Sequence, residues 1–378
     1  MFEEITLING LLTFLLSMLL TQLVQKYASK IGMLDIPNER SSHAQPTPRG
    51  AGIAIFIAFI LVLASFYSAF FIQHSGFFVA VGIIFMLGVV DDAKDVSPRL
   101  KLIFIILATT IIFFSDHLGI KTLGFWFGHE VQLSFILSFI VTLFAVAGFT
   151  NALNLIDGLD GLAGSISLVV LASLYYIGFV YHDQFIMIIS FTMMVSLLGF
   201  LLFNWYPASI FMGDSGSLVL GFIISALAIK ATDYVSDTTI LFIAAVPIID
   251  TIIVMTRRIQ RGLSPFSPDK SHFHHKILML KGSVDASVHI LVALQIILSV
   301  IGLLLRDKND ITNLVLFLVI LFVFFQALDD RKEHRTLLFI SKLKLFFTKI
   351  TDKVGNTLVI TLTSIVLIGV LMVRLFTH

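Results

Sequence analysis

The sequence has no cysteine among its 378 residues. This absence excludes disulfide bonds, thiolate nucleophiles, iron–sulfur clusters and cysteine-ligated zinc, so any metal must be bound by oxygen or imidazole ligands. Charge is scarce too: 13% of the residues are charged and 57% are hydrophobic, against about 25% and about 45–50% in a soluble domain. The 25 Lys and Arg barely exceed the 24 Asp and Glu, which leaves no basic surplus for nucleic acid. The composition predicts a membrane protein.

The apolar residues form runs that are long enough to cross a bilayer as helices and that show no alternation of polarity. We therefore predict an all-α fold, a polytopic integral membrane bundle of about 11–12 transmembrane helices. The candidate spans lie near residues 5–25, 52–72, 76–90, 100–115, 132–150, 162–181, 184–203, 215–230, 239–256, 286–305, 312–327 and 356–376.

The distribution of charge predicts the topology and the domain organisation. Of the 25 Lys and Arg residues, 20 lie in alternate loops or at their borders, beginning with 26–50, and the positive-inside rule makes these loops cytoplasmic. Residues 1–327 are expected to form a transmembrane catalytic domain. Residues 328–378 are expected to form an amphipathic cytoplasmic segment and a last transmembrane helix, with a plain charged connector as the alternative for 328–355.

Polar residue types suited to chemistry gather in five of the six cytoplasmic loops, which predicts one site at the cytoplasmic face. The first of these loops contains Arg40, His43 and Arg49 among prolines and glycines. Glycines let a phosphate approach the backbone, and arginines can bind it with two parallel hydrogen bonds. A proline-rich turn leading into a helix is the structural alternative.

Two adjacent carboxylates, Asp91 and Asp92, end a predicted helix. The last turn of a helix already carries partial negative charge, so the pair needs a metal or a cationic partner. It could organise Mg²⁺ or accept a proton, while Arg99 and Lys101 could bind a phosphate. Structural capping by Lys94 or Arg99 is the alternative.

Oxygen ligands recur at Asn154, Asp157 and Asp160. If this segment is helical, their spacing places them on nearly one face, although the two glycines permit a break there. Polar groups at the end of a membrane helix are costly and usually functional. A calcium loop is the competing interpretation, but the alternating oxygen ligands and terminal Glu of an EF-hand are missing.

The loop 203–217 places Asp214 between a glycine and the start of a predicted helix. The N–H groups of a helix N-terminus can bind an anion, and Asp214 could hold the metal that neutralises the same anion. Phe211 could stack on a flat ring. The alternatives are a simple N-cap for Asp214 and core packing for Phe211.

The fifth loop contains three histidines, His272, His274 and His275, and Asp250 precedes it near the end of a span. The histidines invite a zinc interpretation, but zinc-binding His pairs on a helix are usually spaced i, i+4 and joined by a further ligand. Imidazoles can equally donate hydrogen bonds to phosphate and sugar oxygens, which we favour.

These motifs occur in a fixed order: DD at 91–92, NLIDGLDGL at 154–162, FMGDSGS at 211–217 and SPFSPDKSHFHH at 264–275. Over about residues 35–285 the chain resembles the polyprenyl-phosphate N-acetylhexosamine-1-phosphate transferases of glycosyltransferase family 4. The resemblance implies that a polyprenyl phosphate attacks the β-phosphate of a UDP-N-acetylhexosamine and releases UMP. It also implies a requirement for Mg²⁺, with Mn²⁺ as an alternative ion.

The resemblance also implies roles for individual residues. Asn154 and Asp214 resemble the metal site, and Phe211 resembles a ring that stacks on uracil. The implied catalytic residues are Asp91, Asp92 and Asp157, of which the first two could accept a proton or organise the lipid phosphate. The implied substrate-binding residues are Arg40, His43, Arg49, Arg99, Lys101, Asp160, Phe211, His272, His274 and His275.

The expected partners are a UDP-N-acetylhexosamine, a polyprenyl phosphate lipid and the membrane, and a homodimer stays open. The fifth loop resembles the N-acetylglucosamine branch of the family, whereas the first resembles branches that use 6-deoxy sugars, so the donor sugar stays open too. The family implies the bacterial inner membrane, with the active site cytoplasmic. The alternative from another class is a transporter or flippase of an anionic or lipid-linked substrate.

Overall fold

The computed structural model describes residues 2–37, 45–264, 272–307 and 310–327. Helices dominate these residues: α1 (Phe2–Tyr27), α2 (Gly52–Phe66), α3 (Ser68–Gln73), α4 (Ser75–Ala93), α5 (Pro98–Ser115), α6 (Phe135–Ile156), α7 (Leu162–Tyr181), α8 (Gln184–Asn204), α9 (Asp214–Ala231), α10 (Asp237–Ile243), α11 (Ala245–Gln260), α12 (Phe273–Lys281), α13 (Val284–Leu305) and α14 (Asp310–Ala327). Two short antiparallel pairs join β1 (Leu34–Asp35) to β2 (Thr47–Pro48) and β3 (Thr122–Trp126) to β4 (His129–Gln132).

The all-α, multi-pass prediction is confirmed. Within the described ranges, eight helices are long and apolar enough to cross a membrane, and the bent pair α10–α11 would make nine. The helices α2 and α14 are apolar but shorter. The predicted segments 328–355 and 356–376 lie outside the described residues.

The predicted span 239–256 is not one straight helix, because α10 and α11 meet at an angle of 87°. Pro247 has no N–H and so cannot donate to the carbonyl of Ile243 one turn earlier. The buried side chain of Gln295 supplies the missing partners: its Nε2 donates to that carbonyl at 2.7 Å, and its Oε1 accepts from the Val246 N–H at 3.0 Å. Backbone groups inside a membrane must be satisfied within the protein, so Gln295 makes the bend possible.

Two further differences concern the other predicted spans. The span predicted at 52–72 is divided at Tyr67 into α2 and α3. The span predicted from 132 begins at Phe135, because Gln132 belongs to the β3–β4 hairpin, which the sequence analysis did not predict. In the hairpin Trp126 pairs with His129 across a tight turn that includes Gly128 at φ +89°.

The helix α9 lies at the centre of the bundle, with almost all of its residues buried. Glycines allow close approach on two sides. A Cβ on Gly221 would lie 2.7 Å from the Cα of Thr150 in α6, and a Cβ on Gly88 of α4 would lie 2.5 Å from the Cα of Ser215. Small residues permit such helix contacts in membranes. The beginning of α9 therefore meets the ends of α4 and α6.

Candidate active site at one end of the helix bundle

Four helices contribute to a cluster of charged and polar side chains at this meeting point. Lys101 Nζ lies 2.5 Å from Oδ2 of Asp91 and 2.5 Å from Oδ2 of Asp214. Asn154 Nδ2 donates to Asp214 Oδ1 at 3.0 Å and to Ser217 Oγ at 2.9 Å. Lys101 lies in the first turn of α5. That helix begins at Pro98, whose fixed φ suits a first helical turn. We call Asp91, Lys101, Asn154 and Asp214 the Asp–Lys cluster.

Asp92 lies beside the cluster but has a different set of contacts. Its Oδ1 accepts the N–H of Asp214 at 2.7 Å and its Oδ2 accepts the N–H of Ser215 at 3.0 Å. The carboxylate thus caps the N-terminus of α9, where negative charge is favourable. Gly213 has φ +74°, and a Cβ there would lie 2.5 Å from Asp92 Oδ1. The glycine before Asp214 is therefore needed for this close approach.

The loop between α6 and α7 lies against the cluster. Burial, and then the nearby charges of Asp214, Asp92 and Asp160, raise the pKa of Asp157 to about 7. Asp160 Oδ2 accepts the N–H of Ala208 at 2.9 Å, which joins this loop to the loop between α8 and α9. Asp157 and Asp160 therefore lie at one site, in the loop that follows the end of α6 and not on one face of a helix.

Asn204, which the sequence analysis missed, reinforces the same junction. It is buried, its Oδ1 accepts from Gly161 N–H at 3.0 Å and its Nδ2 donates to the carbonyl of Ile210 at 2.9 Å. An amide at the end of an apolar run of membrane length is a signal that could have identified it.

Phe211 and Arg49 belong to neighbouring loops that pair through their backbones. Phe211 N–H donates to the carbonyl of Pro48 at 2.8 Å, and its carbonyl accepts from Ala51 N–H at 3.1 Å. Arg49 Nε is buried and has no hydrogen-bond partner among the described residues. Of the other predicted substrate contacts, Arg99 is exposed and outside the Asp–Lys cluster. Arg40 and His43 lie outside the described residues.

The histidines occupy three different environments. His272 and His274 are 5% and 2% exposed, whereas His275 is only partly buried. A Cβ on Gly158 would lie 2.5 Å from His274 Nε2, so His274 packs on the loop that carries Asp157. Burial is the main cause that lowers the pKa of His274 to about 3, so this ring is neutral. His275 is thus the histidine of the three most open to a ligand.

The donor atoms near the Asp–Lys cluster fit a hard divalent cation in kind. Asp91, Asp92, Asp157, Asp214 and Asn154 offer carboxylate and amide oxygens, the ligands that Mg²⁺ prefers. Four carboxylates gather here, and within the described ranges Lys101 is the one ammonium group that contacts any of them, so the cluster can accommodate further positive charge. No three acidic or imidazole side chains in the described ranges already surround one metal position; the Lys101 ammonium lies between two of the carboxylates.

The fold and this site define a multi-pass membrane protein with a carboxylate-rich centre at one end of its bundle. Residues 74–232 match the model of glycosyl transferase family 4. The chain is 34% identical over 328 residues to a Bacillus subtilis (strain 168) protein named "Probable undecaprenyl-phosphate N-acetylglucosaminyl 1-phosphate transferase", covering 84% of this chain and 89% of that protein. It therefore belongs to glycosyl transferase family 4, and the predicted resemblance is confirmed.

Two further relatives carry the name undecaprenyl-phosphate alpha-N-acetylglucosaminyl 1-phosphate transferase. The Escherichia coli (strain K12) protein is 30% identical over 82% of this chain and 87% of its own length. The Yersinia pestis protein is 30% identical over 81% of this chain and 87% of its own length. These names describe transferases, so the transporter hypothesis gains no support.

Proposed function

We propose that this protein transfers N-acetylglucosamine 1-phosphate from UDP-N-acetylglucosamine to undecaprenyl phosphate and releases UMP. The observation that carries the proposal is the position of Lys101 between Asp91 and Asp214, beside Asn154 and at the start of the central helix. The names of the three relatives supply the lipid and the sugar. The reaction would begin lipid-linked glycan synthesis at the cytoplasmic face of the bacterial inner membrane.

An apolar cavity supports the proposed lipid acceptor. It has a volume of about 450 Å³ and lies between α6, α9 and the bent pair α10–α11. Its lining includes Phe144, Ile224, Ile248 and Met255, and almost all of its surface is apolar. A long hydrocarbon chain could occupy this space while its phosphate lies at the end of the bundle.

The proposed cofactor is Mg²⁺, with Mn²⁺ as an alternative. Asp214 and Asn154 would hold it, with Asp91, Asp92 and Asp157 close by. Such an ion, when bound, would offset the charge of the donor diphosphate and of the transition state. In the proposed complex Arg49, whose buried Nε has no hydrogen-bond partner among the described residues, would donate to a phosphate oxygen, and Phe211, in the adjoining loop, would stack on uracil.

In the proposed reaction an oxygen of the lipid phosphate forms a bond to the β-phosphorus of the donor. The bond from that phosphorus to the bridging oxygen breaks, and UMP leaves with the bond's electron pair. The lipid phosphate is mostly dianionic at pH 7, so a separate general base is dispensable. The residues of the site then act chiefly by alignment and by stabilising charge, which supply most of the catalysis in phosphoryl transfer.

The test is UMP release by purified protein incubated with undecaprenyl phosphate, Mg²⁺ and each of several UDP-sugars. We expect UMP with UDP-N-acetylglucosamine and much less with UDP-glucose. A 6-deoxy N-acetylhexosamine donor that outperforms UDP-N-acetylglucosamine would change the proposed sugar. Failure of every donor, with the lipid and the ion present, would contradict the transferase proposal.

A further inference from the structure

A buried carboxylate joins α11 to the helix that carries the histidines. Asp250, 2% exposed, accepts the N–H of Phe273 on Oδ1 at 2.6 Å and the Nδ1 of His272 lies 3.0 Å from its Oδ2. The Phe273 N–H is the first of α12 and has no partner within that helix. We infer that Asp250 is a positioning residue that fixes α12 in the site, and that His272 anchors this helix to Asp250 and does not bind the donor.

The second ring nitrogen of His272 supports this assignment. Its Nε2 lies 3.5 Å from Nη2 of Arg258, a long hydrogen bond. A guanidinium group can only donate, so Nε2 accepts and the proton is on Nδ1, facing Asp250. Both nitrogens of this buried ring are therefore used within the protein. Among the described residues the ring is 5% exposed, which leaves it little access to a diphosphate or a sugar.

The position of α12 matters because the helix touches the loop that carries Asp157. His274 packs against Gly158 so closely that a methyl group on Gly158 would clash with the His274 ring. His275 follows on the same helix, its ring centroid 4.3 Å from that of His274. A shift of the start of α12 would therefore displace both His275 and the Asp157 loop. The inference deepens the proposed function and rests on it for the identity of the donor.

The first experiment compares Asp250→Ala and Asp250→Asn with wild type. We expect the KM for UDP-N-acetylglucosamine to rise and the KM for undecaprenyl phosphate to stay unchanged. A displacement of about 1 Å in a positioned group can cost about 100-fold in rate, so kcat/KM for the donor should fall about 100-fold in Asp250→Ala. Asp250→Asn should lose less, because the amide oxygen can still accept from Phe273. Asp285→Asn is the matched control, since Asp285 contacts His289 at 3.4 Å in an exposed pair, and we expect wild-type kinetics.

Hydrogen exchange tests the anchor without any turnover. Amides of residues 272–281 should exchange faster in Asp250→Ala than in wild type or Asp285→Asn, while the amides of α9 keep their protection. Unchanged exchange at 272–281 would overturn the positioning role. This measurement stands even if no UDP-sugar gives UMP, so it separates failure of the anchor from failure of the proposed reaction.

The second experiment tests His272 by two substitutions that each keep one nitrogen position. Asparagine places its amide nitrogen near the position of Nδ1, and glutamine places its own near Nε2. If the role of His272 is its hydrogen bond from Nδ1 to Asp250, the kcat/KM for the donor should be at least tenfold higher in His272→Asn than in His272→Gln. A higher kcat/KM in His272→Gln than in His272→Asn would show that Nε2 binds the donor and would overturn the assignment.

Discussion

The carboxylate of Asp92, at the end of α4, accepts the backbone N–H of Asp214, at the start of α9, at 2.7 Å. One spanning helix therefore caps another. The relationship explains why a carboxylate is tolerated in the last turn of α4, where the helix dipole disfavours it, since the N-terminus of α9 offsets the cost. It also distinguishes the two adjacent aspartates. Asp91 contacts Lys101 and accepts the N–H of Val96 in the loop that follows, whereas Asp92 accepts two N–H groups of α9.

The cap predicts a loss of stability when Asp92 is truncated. Asp92→Ala should lower the free energy of unfolding by about 1–2 kcal/mol, the usual cost of removing a helix cap, and lower the Tm in detergent. Asp95→Ala, which removes an exposed carboxylate nearby, should change stability by less than about 0.5 kcal/mol. Equal Tm values for the two variants would mean that capping by Asp92 does not stabilise the protein measurably.

Asp214→Asn should remove most of the UMP release while the protein remains folded and inserted. The change takes one negative charge from Lys101 and from the proposed Mg²⁺ ligands without changing side-chain volume. A loss of several kcal/mol of transition-state stabilisation, at least about 100-fold in kcat, is expected. Asp233→Asn is the control, because Asp233 contacts Lys121 and Lys230 in a similar way away from the site. Near-normal turnover of Asp214→Asn at saturating Mg²⁺ would refute the role.

Most of the helices were predictable from the sequence, because apolar runs of about 20 residues are typical of membrane helices. The bend at Ala244 was not predicted. Pro247 is a local signal for it, but Gln295, which satisfies the freed backbone groups, lies 52 residues after Ile243, whose carbonyl it contacts. The β3–β4 hairpin escaped prediction because its strands are short and border a span. Hydrogen bonds between distant segments leave no local pattern in a sequence.

The residue types of the candidate site were predictable from the sequence. The different contacts that each of these residues makes were not. Clusters of carboxylates and histidines beside apolar runs identified the loops that the structure brings together. Packing then decides that Asp92 caps a helix while Asp91 contacts a lysine, and that His272 is enclosed while His275 stays partly open. Neighbours in sequence with the same side chain cannot be told apart without that packing.

The buried His274 predicts a loss of stability in mild acid. Its folded pKa is lowered to about 3, below the usual 6.5, so between these values the unfolded chain binds a proton that the folded chain excludes. The stabilising contribution is fully present above about pH 6.5 and declines as the pH falls towards 3. His274→Gln should therefore show a smaller drop in Tm from pH 7 to pH 5 than wild type. His289→Gln, an exposed control, should match wild type; identical pH profiles for all three proteins would contradict the prediction.

The bend between α10 and α11 predicts a strong effect of Gln295. Gln295→Met keeps the length of the side chain but leaves the Ile243 carbonyl and the Val246 N–H with one partner fewer each. An unsatisfied buried polar group costs about 1–3 kcal/mol, so the Tm should fall clearly. Ile296→Met, on the exposed side of the same helix, is the control and should leave the Tm nearly unchanged. A Tm for Gln295→Met equal to the control would mean that the bend does not depend on these hydrogen bonds.

The absence of native cysteine allows a direct test of the orientation in the membrane. Asp95 is exposed in the loop between α4 and α5, beside the candidate site, and Glu130 is exposed in the β3–β4 hairpin. The excess of Lys and Arg in the loops on the side of Asp95 predicts that this side is cytoplasmic. An impermeant maleimide added to intact cells should therefore label Glu130→Cys and not Asp95→Cys, and it should label both after permeabilisation. Labelling of Asp95→Cys in intact cells would reverse the topology and place the proposed UDP-sugar site on the wrong side of the membrane for a cytoplasmic donor.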